Sequence, residues 1–192
     1  HVSEVVSSRF GKTILELGGN NCIIVDESAD MNMVVPAIVF GAVGTAGQRC
    51  TSTRRVIVHE NIYDNLIDKV MSAYKQVKIG DPLKKDTLMG PVVNEKAVSN
   101  HFAAIEEAVS MGGKVLCGEN RFSEEGSFVE PVIIEANNEW SIVQKETFTP
   151  ILYIMKYNDL ADAITMHNDV PQGLSSSMFT SVSYTHLRAH ET

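Results

Sequence analysis

The chain has 192 residues, of which 44% are hydrophobic and 21% are charged, and this composition is typical of one globular domain with a sizeable core. Its formal net charge of −8 argues against a broad nucleic-acid-binding surface, so a small soluble ligand is the better expectation. The cysteines exclude two further classes. Cys22, Cys50 and Cys117 are an odd number without metal-like spacing, which predicts neither a disulfide framework nor a metal site and favours a reducing compartment.

Two segments bear on membrane insertion and export. Residues 31–48 are uncharged for 18 residues, the borderline length for a membrane span, but Asn32, Pro36 and three glycines interrupt them. This pattern predicts a buried helix of a soluble protein. The first twelve residues lack both an apolar signal core and an initiator methionine, so we expect an interior cut there rather than a natural start.

The first predicted elements lead towards Cys50. Short apolar runs predict strands at 13–17 and 22–25. Asp30 can cap a helix whose apolar residues continue to Val39, and Gly44 and Gly47 end that helix just before the cysteine.

Further along, strands alternate with helices. The run RVIVH predicts a strand at 55–59, and apolar residues at helical spacing predict a helix at 62–77. Glycines 112 and 113 end a second predicted helix at 94–111. Later strands are predicted at 114–117, 128–135 and 151–157, and a last helix at 159–167. The alternation predicts an α/β domain with a mainly parallel sheet flanked by helices.

The stretch GTAGQRCTSTRR (44–55) allows two interpretations of Cys50. A thiolate is the strongest nucleophile among ordinary side chains, and Arg49, Arg54 and Arg55 could supply the positive charge that it needs. Glu16, which lies 34 residues earlier, could activate water to hydrolyse an acyl-enzyme. The alternative is a core cysteine near solvent-facing arginines and a solvated glutamate, and the spacing by itself does not choose between them.

Longer strings add a resemblance. ELGGNN (16–21) followed by GTAGQRCTSTRR resembles the aldehyde dehydrogenase superfamily, and IGDPL, FVEPVI, KETFTPILY and QGLSSSMFT follow in that family's order. The resemblance covers about residues 5–180. The doubled Asn20-Asn21, the arginine before Cys50 and QGLSSS are most similar to the antiquitin branch, the α-aminoadipic semialdehyde (piperideine-6-carboxylate) dehydrogenases.

The resemblance implies an NAD(P)-dependent enzyme that oxidises an aldehyde to a carboxylate. Cys50 matches the nucleophile, which forms a thiohemiacetal and, after hydride transfer to NAD, a thioester. Glu16 matches the base that activates the hydrolytic water. Because the thioester separates oxidation from hydrolysis, each half of the reaction has its own catalyst.

Five further positions match binding residues of the family. Glu146 and Phe148 match the residues that hold the nicotinamide ribose, and Leu17 and Gly18 match positions close to the nicotinamide ring. Arg49 matches the residue that grips the distant carboxylate of the substrate in the antiquitin branch, a task suited to a planar fork of donors.

The substrate implied is α-aminoadipic semialdehyde, an intermediate of lysine degradation. Another branch with a different aldehyde would keep Cys50 and Glu16 but give Arg49 no carboxylate to bind. A non-catalytic scaffold is the third alternative, and the joint presence of Cys50, Glu16 and Glu146 argues against it. Thr149 departs from the family pattern, since many members have glycine there.

The same resemblance divides the chain. Residues 1–18 match the end of an NAD-binding domain and residues 19–180 a catalytic domain that is incomplete at its C-terminal end. Residues 181–192 resemble a translated sequencing adaptor and are expected not to be native. Because the glycine motif for the cofactor phosphates is absent, we expect the 192-residue polypeptide itself to be inactive. For the whole protein, the family implies a cytoplasmic homotetramer with no nucleic-acid or membrane partner.

Overall fold

A computed structural model gives the fold and describes residues 1–123 and 125–182. The helices are α1 (Val2–Ser7), α2 (Met31–Val43), α3 (Tyr63–Tyr74), α4 (Glu95–Ser110), α5 (Ser141–Gln144) and α6 (Leu160–Asn168), with a 3₁₀ turn at Glu60–Ile62. The strands are β1 (Asn21–Val25), β2 (Thr53–His59), β3 (Lys114–Cys117), β4 (Arg121–Ser123), β5 (Phe128–Val129), β6 (Val132–Glu135), β7 (Ile151–Tyr157) and β8 (Ser176–Phe179). Most of the predicted non-native tail, 183–192, lies outside the described residues.

Six strands form one sheet in the order β3-β6-β7-β2-β1-β8. Every neighbouring pair is parallel except β3 with β6, and β4 pairs with β5 in a separate antiparallel hairpin. The predicted α/β class with a mainly parallel sheet is therefore confirmed.

The central strands β1, β2 and β7 are buried along most of their length and carry continuous apolar runs, because helices cover both faces of the sheet. On one face, Ile23 and Val56 pack with residues of α2 and α3. On the other, Ile24 and Ile57 pack with residues of α4 and α5. Successive residues of a strand point to opposite faces, so one short run supplies both halves of the core.

Helix α2 leads into the turn that carries Cys50. Asp30 caps it as predicted, because Asp30 Oδ1 accepts a hydrogen bond from the Asn32 amide at 2.9 Å. The helix ends at Gly44, again as predicted, and the next residues form a tight turn. No helix in residues 1–123 or 125–182 is long and apolar enough to cross a membrane.

Some sequence-based expectations were wrong. Residues 13–17 are not a strand, since 11–20 have no regular secondary structure and are not among the paired strands of the described residues. The strand expected at 128–135 is divided in two at Glu130-Pro131, because proline cannot donate to a ladder. The sequence analysis did not anticipate α1, α5, β4 or β8, which are short elements without a clear period.

Candidate active site

Cys50 lies in a turn between α2 and β2, and hydrogen bonds hold the backbone on both sides of it. Within the turn, the Ser52 amide donates to the Arg49 carbonyl oxygen and the Arg49 amide donates to Ser52 Oγ, each at 3.1 Å. From β1, Asn21 Nδ2 donates to the carbonyl oxygens of Cys50 and Ser52 at 2.8 and 2.7 Å. The half-buried cysteine is therefore carried by backbone that is fixed from two directions.

The three thiols lie in different environments. Burial on β1 raises the pKa of the Cys22 thiol to about 12, and burial raises the pKa of Cys117 to about 11. Both thiols therefore stay protonated and unreactive near neutral pH. Cys22 is a core residue, whereas Cys117 is half-buried on the edge strand β3.

The loop after α5 brings Glu146 to the same place. Its Oε1 accepts hydrogen bonds from the Gly19 amide at 3.2 Å and from Arg54 Nη2 at 3.1 Å. The first bond joins Glu146 to the ELGG segment, and the second joins it to β2. Within the described part of the chain, no hydrogen bond to Oε2 is recorded, so that oxygen is available to a ligand.

Two glycines allow the segments around the site to approach closely. A Cβ on Gly18 would lie 1.8 Å from Glu146 Oε2, and one on Gly47 would lie 2.4 Å from the Thr149 carbonyl oxygen. Gly47 also has a φ of +68°, which residues with a side chain rarely adopt. Position 47 therefore requires glycine, because its clash is with backbone, whereas a side chain at position 18 would displace the flexible end of Glu146.

Three non-glycine residues beside the site have left-handed backbone conformations. Thr45, Ala46 and Phe148 have φ values of +53°, +52° and +61°. Such conformations cost roughly 1–3 kcal/mol each and persist only where the surroundings hold them. The concentration of strain in these two loops is a feature typical of functional sites.

Arg54 and Arg55 are buried in β2, with 4% and 0% exposed, so the solvent-facing alternative is wrong for both. Arg55 donates hydrogen bonds to the carbonyl oxygen and the Oδ1 of Asn20. It also donates to Asn138 Oδ1 and to the carbonyl oxygens of Met166 and His167. It therefore ties β2 to the end of α6. Arg54 instead faces the Cys50 turn and Glu146.

Arg49 is the exposed arginine of the three. Its guanidinium lies 5.1 Å from the centre of the Phe40 ring, and no carboxylate partner is recorded for it among the residues that the structure describes. A cavity of about 300 Å³ opens beside it and is also lined by Thr51, Ser175 and Ser176. The QGLSSS segment and the arginine before Cys50 therefore share one cavity wall.

Glu16 and Leu17 lie in the irregular segment that precedes Gly18-Gly19. Both are exposed, and no hydrogen bond or ion pair of Glu16 is recorded in residues 1–123 and 125–182. Gly19, three residues later, lies against the Cys50 backbone, since a Cβ there would be 2.9 Å from the Cys50 carbonyl oxygen. Three extended residues span at most about 10 Å, so the chain tethers Glu16 near the thiol without placing it in contact.

Comparison with known proteins identifies the family. The model of the aldehyde dehydrogenase family matches residues 1–192. The chain belongs to the aldehyde dehydrogenase family.

Curated relatives lie in the branch that the sequence resembles. The chain is 50% identical over 179 residues to "Aldehyde dehydrogenase family 7 member A1" of Pisum sativum, which covers 93% of this chain and 35% of that protein. It is 47% identical over 180 residues to the alpha-aminoadipic semialdehyde dehydrogenase of Mus musculus, with 93% and 33% covered. The predicted resemblance is thereby confirmed. The chain spans about a third of the length of the curated relatives it matches.

Solved structures of the family confirm the fold. Betaine aldehyde dehydrogenase from Staphylococcus aureus, in complex with NAD⁺, superposes with a TM-score of 0.95 at 26% identity and covers 100% of this chain and 39% of that one. An NADP-dependent enzyme of Escherichia coli gives a TM-score of 0.92 at 31% identity, with 99% and 40% covered.

The residues of this aldehyde dehydrogenase segment fit one end of a nicotinamide cofactor. The unbonded Oε2 of Glu146 suits the hydroxyls of a ribose, and Leu17 and Phe148 expose 67% and 40% of their surface beside it. The absence of a side chain on Gly18 lets the Glu146 carboxylate lie against its backbone. The described part of the chain contains no group of three or more His, Cys, Asp or Glu residues that could bind a metal ion.

Sequence reasoning did not assign the structural roles of three residues that shape this site, although Asn21 and Arg54 had been named for other reasons. Asn21 holds the Cys50 turn, and Arg54 bridges that turn to Glu146. Gln48 Oε1 accepts from the Val93 amide at 2.7 Å and so anchors the turn on its other side. The available signal was a pair of arginines at the start of an apolar strand, because charged residues in such a strand are buried only when they are paired.

Proposed function

We propose that the protein carrying this chain oxidises an aldehyde to a carboxylate with NAD(P), and that its substrate is α-aminoadipic semialdehyde. The supporting observation is the convergence of the Cys50 turn, Gly18-Gly19 and Glu146 at one end of the sheet. This arrangement occurs in a chain about half identical to proteins bearing that activity in their names.

Cys50 forms and releases the covalent intermediate. Its thiolate attacks the aldehyde carbon, a C–S bond forms, and the carbonyl electron pair moves to oxygen, which accepts a hydrogen bond from the Cys50 amide. When bound, NAD(P) supplies the acceptor for the hydride that leaves this carbon as the thioester forms. Glu16 then takes a proton from water, the water oxygen attacks the thioester, and the C–S bond breaks to release the carboxylate and the Cys50 thiolate.

The cofactor end of the site consists of Glu146, Phe148, Leu17 and Gly18. Glu146 Oε2 accepts hydrogen bonds from the ribose hydroxyls, while Oε1 keeps its hydrogen bonds from the Gly19 amide and Arg54 Nη2. Phe148 is held beside that ribose by its left-handed backbone. Leu17 and Gly18 border the ring, where a side chain larger than glycine at position 18 would displace the carboxylate.

Arg49 selects the substrate. Its guanidinium is exposed, stacked on Phe40 and has no recorded carboxylate partner in the described residues, so it is ready to bind an acid at the far end of an aldehyde. The cavity of about 300 Å³ beside it has hydroxyl groups of Ser175 and Ser176 in its wall. A carboxylate bound there by Arg49 gives the preference for a semialdehyde over a plain alkyl aldehyde.

The whole protein is a cytoplasmic homotetramer in this proposal, with residues 1–18 ending its NAD-binding domain and 19–180 forming most of its catalytic domain. The 192-residue chain alone contributes one end of the cofactor site. We expect it to give no measurable turnover, and robust NADH production by the isolated chain would contradict this division.

The test measures NADH formation by a full-length protein that carries this segment. The substrates are α-aminoadipic semialdehyde and an unbranched aldehyde of equal chain length without the carboxylate. Cys50→Ala should abolish oxidation of both. Arg49→Ala should raise the KM of the semialdehyde about 10–100-fold and leave the alkyl aldehyde within about twofold, since a charge-assisted contact contributes about 1.5–3 kcal/mol. Arg49→Lys serves as the matched control that keeps the positive charge but loses the planar fork of N–H donors.

Two results would contradict the proposal at different points. Activity that survives Cys50→Ala would remove the covalent mechanism. An equal loss on both substrates in Arg49→Ala would leave an aldehyde dehydrogenase of another substrate class.

A further inference from the structure

Arg54 joins both loops of the candidate site through one nitrogen. Its Nη2 donates to the carbonyl oxygens of Gly47 and Arg49, both in the segment that leads into Cys50, at 3.3 and 3.2 Å. The same Nη2 donates to Glu146 Oε1 at 3.1 Å. The side chain is only 4% exposed, so these contacts are made in the interior rather than at the surface.

The guanidinium also holds the aromatic neighbour of Glu146. The Arg54 Cζ lies 5.4 Å from the centre of the Phe148 ring, within the range of a cation–π contact. Phe148 has a left-handed backbone that needs support from its surroundings. One side chain therefore contacts both residues that our proposed function assigns to the nicotinamide ribose.

Burial explains why the contact with Glu146 matters. A cation removed from water is stable only when it is paired and hydrogen-bonded, and Glu146 is the acidic partner recorded for Arg54 in the part of the chain that the structure describes. The pairing occupies Oε1, which the Gly19 amide also binds. The carboxylate is thereby fixed at one oxygen, and Oε2 lies against Gly18, where a side chain on that residue would displace it.

We propose that Arg54 is a positioning residue for the cofactor: it fixes Glu146 through Oε1 so that Oε2 meets the ribose hydroxyls. The inference rests on the proposed function, since it assumes that Glu146 binds the ribose. Arginine suits the role because its planar fork can bond a carboxylate at its edge while its face lies over a ring. A lysine ammonium could keep the charge but not both contacts.

The test is cofactor binding without aldehyde, in a full-length protein that carries this segment. Calorimetric titration with NAD⁺ gives the dissociation constant for the parent, Arg54→Met, Arg54→Lys, Glu146→Gln and the double variant Arg54→Met/Glu146→Gln. Arg54→Met should weaken NAD⁺ binding about tenfold and Arg54→Lys about threefold, which corresponds to the loss of about one hydrogen bond to a charged group. The matched control is Lys156→Met, which removes an exposed cation of β7 and should leave binding unchanged.

The double variant separates positioning from general damage. If Arg54 acts through Glu146, Arg54→Met should have less than a twofold effect once Glu146→Gln is present. A full additional loss in the double variant, or unchanged NAD⁺ affinity in Arg54→Met, would overturn the inference.

Folding and the proposed function are checked separately. Should Arg54→Met fail to fold, the Arg54→Lys variant and its combination with Glu146→Gln carry the same comparison. Failure of Cys50→Ala to abolish aldehyde oxidation would refute the proposed mechanism. The comparison of NAD⁺ affinities between the single and double variants would remain valid. Strong NAD⁺ binding by Glu146→Gln, equal to that of the parent, would refute the ribose role on which the inference rests.

Discussion

The Gly19 amide donates a hydrogen bond to Glu146 Oε1 at 3.2 Å, across 127 residues of sequence. This bond joins the segment that carries Glu16, Leu17 and Gly18 to the loop that carries Glu146 and Phe148. Gly19 also lies against the Cys50 carbonyl oxygen. Three separate segments that the sequence analysis singled out are therefore neighbours, and changes at their contacts have defined consequences.

Gly18→Ala should displace the Glu146 carboxylate. The new Cβ would lie 1.8 Å from Oε2, so the carboxylate must move away from the space where a ribose would bind. We expect NAD⁺ affinity in the full-length protein to fall about tenfold, equivalent to about 1.4 kcal/mol. Gly173→Ala is the control, because a Cβ there meets no atom of the described residues within 4 Å. Equal affinity in both variants would contradict the placement of Glu146.

Gly47→Ala should destabilise the fold. It combines a φ of +68° with a Cβ only 2.4 Å from the Thr149 carbonyl oxygen, so neither backbone strain nor the collision can be relieved by a rotamer change. We expect the free energy of unfolding in urea to fall by about 2–4 kcal/mol. Gly80→Ala, whose Cβ would meet only the Thr87 side chain at 3.7 Å, should change it by less than about 1 kcal/mol.

Arg55→Met should unfold the protein or destabilise it by about 3 kcal/mol or more, because the Asn20, Asn138 and α6 oxygens that Arg55 binds would be left buried without a donor. Its effect on cofactor binding should be explained by the unfolded fraction alone. Calorimetry of the folded fraction at low temperature checks this. A specific loss of NAD⁺ affinity with unchanged stability would show that Arg55, rather than Arg54, serves the site.

Stability should fall as the pH is lowered from about 6.5 to about 4. Burial lowers the pKa of His101 from 6.5 to about 4, so in this window the unfolded chain takes up a proton that the folded chain does not. Burial lowers the pKa of His167 as well, in the same direction. The His101 contribution amounts to about 3 kcal/mol at most. Above pH 6.5 both states are neutral at this residue and the contribution disappears.

Urea unfolding at several pH values measures this effect. His101→Gln cannot titrate and should flatten most of the decline, while its amide can still bond Thr149 Oγ1 in place of the ring Nδ1. If the free energy of unfolding falls with decreasing pH as steeply in this variant as in the parent, the pH dependence comes from other groups. Candidates are the carboxylates whose pKa is lowered, Asp26 and Glu95.

Local sequence patterns were sufficient for the sheet and its helices. The apolar runs at β1, β2 and β7, the capped helices α2 and α4 and the periodic helix α3 formed close to the predicted bounds, because burial on both sides of the sheet follows from period and composition alone. The run at 13–17 had the same local character but stayed irregular. A strand needs a partner, and the sequence of one segment does not say whether a neighbour is present.

The candidate site divides in the same way. Motif order in the sequence by itself determined the family and the list of candidate residues, because those strings are specific enough to be recognised without coordinates. Only the tertiary structure decided that Arg54 and Arg55 are buried and that the Glu146 loop packs on Gly47. It alone joined Gly19 to Glu146 and left Oε2 unbonded. These relationships depend on distances between segments more than a hundred residues apart, and such distances are set by the packing of the whole sheet.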